Sequence, residues 1–371
     1  MRRERVKRCV IAVVVFALVF LLLQQLLMPK YATELFHGNM IREYYASAKD
    51  HNVIFIGDCE VFATFSPVVL WEEFGVTSFI RGSAQQLVWQ SYYLLEETLR
   101  LERPDVIVFS VLAMQYGEPQ SEAYNRLTLD GMRWSRSKIR AIRASRTKEE
   151  DFLSYVFPLL RFKDRWREIR VEDFRYFFRR PQVTVNGFMI NSEVRPPSDF
   201  SPPPLRRANY DFGEKAFYYL QRITNLAAYN DIPLVLVKAP TLYPHWPVQW
   251  NEQIVNFAAN NDLLFVNLLE YIYDIGLDFS VHTFDFGYTL NVFGAEKTTR
   301  FFGEILVNEF GLQDFRSPYL LPEILWRLPM PIPLSQQFVR WEEKSELYHR
   351  IIARQLAEIK KYGAIQNFRA E

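Results

Sequence analysis

Val53-Ile54-Phe55-Ile56-Gly57-Asp58-Cys59-Glu60 is the stretch on which the reading of this chain turns. Four consecutive apolar residues, two of them isoleucine, end in a Gly-Asp turn signal. Such a run reads as a strand buried on both faces that delivers the next residues to the edge of a sheet. Similar runs recur. Thr77 to Arg81 ends at Gly82, Val106-Ile107-Val108-Phe109 leads to Ser110, Pro233 to Val237 ends at Lys238-Ala239-Pro240, and Leu263 to Val266 follows. Between them lie stretches of helical periodicity, Gln85 to Leu101, Glu214 to Tyr229 and Gln249 to Asn260, with a last helix starting near Gly294. Strands alternating with helices predict parallel βαβ units, hence an α/β, doubly wound (flavodoxin-like) five-stranded parallel sheet.

Two regions stand outside that alternation. About 100 residues, roughly Ala113 to Phe212, separate strands three and four. They are read as a helical insertion forming a lid or subdomain over the carboxyl edge of the sheet. Within it Arg136, Lys138, Arg140, Arg143 and Arg146 form a basic cluster, either a solvated face or a contact for an anionic polymer or lipid headgroups. After residue 316, a Pro-rich stretch from Ser317 to Pro333 precedes a charged amphipathic helix from Gln336 to Tyr362.

The N-terminus decides the compartment. Arg2, Arg3, Arg5, Lys7 and Arg8 precede an apolar run from Cys9 to Met28, broken only by Gln24 and Gln25. Twenty helical residues rise about 30 Å, the thickness of a bilayer core. Lys30 is the one cation just after the run. That asymmetry predicts a cytoplasmic N-terminus and an extracytoplasmic remainder. Pro29-Lys30-Tyr31-Ala32-Thr33 lacks a small-x-small cleavage pattern, so the helix is expected to stay as an anchor. The expected organisation is therefore 1–30 basic segment and transmembrane anchor, 31–316 α/β domain with its insertion at about 113–212, and 317–371 linker and C-terminal helix. Residues 31–52 are read as a polar, helical connector.

With 371 residues, 49% hydrophobic, the chain has material for a real core, which excludes global disorder. The formal net charge is +1, and without the cationic leader and Glu4 it falls to about −3. A nucleic-acid binder would need a basic surplus, so none is expected. The two cysteines, Cys9 and Cys59, lie on opposite sides of the predicted anchor and form no disulfide framework. Neither zinc-ligand spacing nor a nucleotide-phosphate motif is present, and no cofactor is expected.

Functional groups of a doubly wound sheet gather beyond the carboxyl ends of its strands. Strand one presents Gly57-Asp58-Cys59-Glu60, a potential nucleophile on a turn into a helix, where backbone N–H groups would lower a thiol pKa. Strand two presents Gly82-Ser83 and strand three Ser110, and late in the chain comes Asp285-Phe286-Gly287-Tyr288-Thr289-Leu290-Asn291-Val292-Phe293-Gly294-Ala295. These blocks resemble the SGNH/GDSL hydrolase superfamily over about 53–112 and 233–310. The layout is similar to its membrane-anchored branch of D-alanine transfer and alginate O-acetylation proteins. The resemblance implies a nucleophile at position 59, oxyanion-hole groups at Gly82 and Ser110, an orienting Asp285, and a binding role for Asn291. It also exposes departures. Cys59 stands where serine is expected, Ser110 where asparagine is, and Thr289 where the base histidine is. His282 first, then His245, are the substitute bases considered; Lys238 would serve only if burial depressed its pKa strongly. Two functions follow. One is acyl or acetyl transfer, or ester hydrolysis, on an envelope polysaccharide or teichoic-acid-like polymer through Cys59. The other is a non-catalytic accessory role, binding an envelope glycan or docking on a membrane O-acyltransferase.

Overall fold

The computed structural model describes residues 2–28, 39–178, 182–199, 209–316 and 334–370. Five parallel strands form one sheet in the order β2-β1-β3-β4-β5: β1 Val53–Gly57, β2 Ser78–Gly82, β3 Val106–Ser110, β4 Leu234–Lys238 and β5 Leu264–Asn267. Each lies within a residue or two of its predicted run. Register follows from burial on both faces. Ile56, Ile107, Phe109, Leu234 and Leu236 point to one core. Val53, Phe55, Val106, Val108, Val235 and Val237 point to the other. A one-residue slip would exchange the two sets, and each is matched to its own helices.

The first core is closed by the helices Val88–Leu101, Glu214–Tyr229 and Val248–Asn260. The second is closed by Cys59–Thr64, Pro67–Phe74 and Val292–Phe310. The C-terminal helix Leu334–Ala370 joins this second face, with Trp341 stacked on Trp71 at 5.5 Å and a buried Tyr348 whose hydroxyl donates to Glu296 at 2.9 Å. Its amphipathic pattern is that of a helix packed on the domain. Strand order reverses direction between β1 and β3, and at such a switch point the loops diverge and leave a crevice.

The insertion does more than cover that crevice. Its helix Arg136–Ser145 packs on Val88–Leu101. A turn at Val185–Phe188 lies against the outer strand, where the Ile80 amide donates to the Asn186 carbonyl at 2.9 Å. The basic cluster does not form one patch. Lys138 turns inward to donate to the Met132 carbonyl at 3.0 Å, Arg140 approaches Glu96 at 3.6 Å, and Arg136, Arg143 and Arg146 face outward. In the connector, Asn39–Glu43 is helical and Tyr44–Ala46 is a 3-10 turn. Residues 47–52 are not helical, which corrects the expected continuous connector helix; residues 31–38, the prolines 202–204 and the Ser317–Pro333 stretch lie outside the described residues. Arg3–Leu27 is one helix, long and apolar enough to cross a membrane.

Candidate functional site

The switch point holds a cavity of about 690 Å³. Cys59 and Asp285 both line it. Phe62 lies on the helix after β1, Gln115 and Tyr116 follow β3, and Tyr243, Tyr288 and Thr289 belong to the later loops. The insertion contributes Tyr124, Met189, Ile190 and Asn191, so part of it does border the site as a lid would.

Gly57 makes the geometry possible at the end of β1. Its φ of +154° favours glycine, and a Cβ there would come within 2.8 Å of the Ser110 Cβ. The chain then turns into the helix Cys59–Thr64, capped by Asp58, whose side chain accepts from the Glu60 amide at 3.1 Å. Cys59 thereby reaches the cavity, partly exposed. Its electrostatics oppose the expected activation. Burial, then the charges of Asp58, Glu60 and Asp285, push the thiol well above the ordinary cysteine range. One turn of helix dipole does not offset three carboxylates, so the predicted low-pKa thiol is corrected to a protonated one. Asp58 is itself pushed far up, first by burial and then by the charge of Glu60. Asp285 is pushed up to about 6 by burial, against hydrogen bonds that include the Thr289 amide at 2.6 Å.

Beneath the cavity lies a buried polar knot that sequence reasoning missed. Glu60 is fully buried and receives Lys238 Nζ at 2.6 Å, the Thr241 hydroxyl at 2.6 Å, the Ser110 hydroxyl at 3.2 Å and the Ala239 amide at 3.3 Å. Lys238 also donates to the Ala239 carbonyl at 2.7 Å and sits 3.0 Å from the Thr241 hydroxyl. Three contacts thus tie Lys238 Nζ into the knot, and it does not line the cavity among the described residues. Ser110, predicted for an oxyanion hole, spends its hydroxyl on Glu60 and is absent from the cavity lining among the described residues. A signal was available: Glu60 directly follows the Gly-Asp-Cys turn, and an acid next to a buried strand end needs a cation, which Lys238 supplies.

The other predicted residues also sit outside the lining. At Gly82, paired with Gly57 across the sheet, a Cβ would lie 2.5 Å from Val61 Cγ2, so this glycine admits the neighbouring helix, not a ligand. The loop's cavity residues are instead Ala84 and Gln85, the latter held at φ +52°. Such a conformation is uncommon for a side chain of this size. Asn291 caps the helix Val292–Phe310, accepting from the Gly294 amide at 3.1 Å, and donates to the Val281 and Glu193 carbonyls at 2.8 and 3.1 Å. Gly294 is required because a Cβ would meet the His282 carbonyl at 2.7 Å. The Leu-Asn…Gly-Ala pattern is thus explained by helix capping and packing. His282 itself is nearly buried, and its Nδ1 accepts from the Asp278 amide at 2.8 Å. Burial and then Lys297 lower its pKa, which disfavours protonation there. His245 is exposed with its ring against Tyr243. His51 is bonded to Glu102 before β1, at the opposite end of the strands, and His349 pairs with Glu72. Among the described residues, no histidine lines the cavity.

No family model matches the chain, and no curated protein matches it. Among solved structures, the chain is similar to a protein from Desulfitobacterium hafniense DCB-2 described as lipolytic and of G-D-S-L family. The identity is 11%, the match covers 69% of this chain and 100% of that one, and the TM-score is 0.36. A likeness of that size carries no argument about chemistry, which rests on the geometry above.

Proposed function

We propose that this chain is a membrane-anchored, outward-facing protein of SGNH/GDSL-like layout that binds an envelope glycan in the Cys59–Asp285 cavity without turning it over, as an accessory to a membrane O-acyltransferase. The observation that carries the reading is the combination at the nucleophile's position: a thiol shielded by carboxylates, with no histidine among the described lining residues. Tyr116, Tyr124, Tyr243 and Tyr288 offer flat faces to sugar rings, and Gln85, Gln115 and Asn191 offer amides to hydroxyls. Asp285 is the charged group among the described lining residues. A polyanionic polymer would meet its repulsion, so a neutral polysaccharide is favoured over a teichoic-acid-like chain.

One observation favours a second reading, slow acyl transfer. Asp285, at about 6, shares the cavity with Cys59 and would take the thiol proton as sulfur attacks an ester carbonyl, returning it to the departing alkoxide. The electrostatics decide against it: burial and the neighbouring carboxylates hold the thiol proton well above the ordinary cysteine range, so its transfer to a carboxyl near 6 runs uphill.

Two measurements on the full chain test the proposal. Hydrolysis of p-nitrophenyl acetate should be equal for wild type and Cys59→Ala. Neutral acetylated hexosamine oligosaccharides should quench intrinsic fluorescence saturably, and Tyr288→Ala should weaken that binding. Cys59-dependent turnover would replace this reading with the acyl-transfer one.

A further inference from the structure

Residues 152–178 of the insertion take no part in the cavity, and their surface is unusual for a face turned to water. Leu160 is 54% exposed, Trp166 61%, Val171 63% and Phe178 93%, with Phe174 also outward. Arg161, which pairs with Glu122, and Lys163, Arg167, Arg170 and Arg175 are interspersed with them on the surface and outnumber the outward acids Asp164 and Glu168. Exposed apolar groups of this size clustered in one short stretch mark an interaction surface. Long basic side chains between them suit a boundary where stems lie in an apolar medium and charged heads reach out of it.

The position of this stretch says which medium. Phe157 packs edge-on against Phe20 of the N-terminal helix, with ring centroids 6.1 Å apart. Arg165 Nη1 lies 3.2, 3.4 and 3.0 Å from the last carbonyls of that helix, at Leu26, Leu27 and Met28, while its Nη2 pairs with Asp173 at 2.7 Å. The helix is covered along the line Phe20, Gln24 and Leu27, spaced as one face, and bare over its preceding turns. Phe20 precedes Leu27 by seven residues, which at 1.5 Å each is about 10 Å along the axis. If the helix spans a bilayer and ends near its surface, the Phe157 contact lies about 10 Å inside the apolar layer.

We propose that residues 152–178 form an in-plane membrane module, seated in the outer leaflet beside the anchor, with the exposed Leu, Trp, Val and Phe side chains among acyl chains and the Arg and Lys heads at the phosphates. The inference rests on the reading of Arg2–Leu27 as a spanning helix. The occupant is lipid, because the contact depth comes from the anchor itself and anionic phosphates complement the interleaved cations. The module ties the domain to the leaflet at a second point and holds it close to the membrane surface.

The test uses the full chain in phosphatidylcholine–phosphatidylglycerol liposomes, in a Cys9→Ser, Cys59→Ser background, with nitroxide on single cysteines. Trp166→Cys, Val171→Cys and Phe178→Cys probe the module, Val14→Cys the anchor, and Tyr273→Cys, an exposed position of the α/β domain, the aqueous reference. Collision accessibility to oxygen and to a water-soluble nickel chelate is read at each. The three module sites should favour oxygen, shallower than position 14 but clearly apart from 273. Module sites that match 273 while position 14 reports acyl chains would overturn the inference and leave the anchor intact. An aqueous reading at position 14 would remove both.

Discussion

Replacing Lys238 by methionine removes the cation from the buried knot and keeps its aliphatic bulk. Glu60 then retains three neutral donors, the hydroxyls of Thr241 and Ser110 and the Ala239 amide, but no counter-charge, and it has no exposure through which to recruit water. A carboxylate so placed has an escape, which is to take up a proton. An ordinary glutamate titrates near 4.3, so protonation at pH 7 costs about 2.7 units, or about 3.7 kcal/mol. That escape caps the loss at about 4 kcal/mol, within the range for breaking a buried pair from one side. The sign of the pH dependence follows. In the variant the folded state binds a proton that the unfolded state releases, so the variant gains stability as pH falls. At pH 5 the same protonation costs only about 1 kcal/mol. Urea unfolding in detergent micelles, followed by tryptophan fluorescence at pH 7 and pH 5, should therefore show a deficit of about 4 shrinking to about 1 kcal/mol. Adding Glu60→Gln to Lys238→Met should recover most of the loss at pH 7. A deficit equal at both pH values, or below about 1 kcal/mol at pH 7, would show that the ion pair does not hold this end of the sheet and that Lys238 is free for another task.

Five further outcomes are expected. Thr289→His sets an imidazole on the cavity wall and should raise Cys59-dependent hydrolysis of an activated ester by roughly 10²-fold or more, the usual worth of a base; no rise would count against Cys59 and position 289 facing one ligand. Asp285→Asn should speed iodoacetamide labelling of Cys59 at fixed pH, because a charge that holds the thiol protonated is gone. Since burial raises Asp285 to about 6, its protonated form favours folding below the ordinary carboxylate range, and that contribution is lost as pH rises through about 6; the asparagine variant should lack this step in a pH series of thermal melts. Gly82→Ala should lower stability by about 1–3 kcal/mol in denaturant titrations, because the methyl would lie 2.5 Å from Val61. Protease added to intact cells should degrade the region after the anchor, whereas full protection would refute the outward orientation.

The sheet and its strand ends were legible in the sequence because a strand buried on both faces must be an apolar run, and the runs are local. Val53-Ile54-Phe55-Ile56 and its four counterparts needed no tertiary knowledge, and neither did the apolar N-terminal helix. Cys59 and Asp285 were legible as neighbours for the same reason: topology brings strand ends and the last loop to one edge. What the sequence could not contain was the direction in which each polar side chain spends its bonds. Ser110 follows a strand end as an oxyanion donor would, yet its hydroxyl belongs to Glu60, a partner 50 residues away. Gly82 looks like a ligand-approach glycine, but Val61 occupies its missing Cβ space. Asn291 and Gly294 match a catalytic pattern that capping and packing account for. The thiol's pKa was likewise decided in three dimensions, since a helix start suggests a lowered value while three carboxylates and burial set a raised one. Apolar periodicity is a property of neighbouring residues, whereas hydrogen-bond pairing and electrostatic environment depend on groups that only folding brings within a few ångströms of each other.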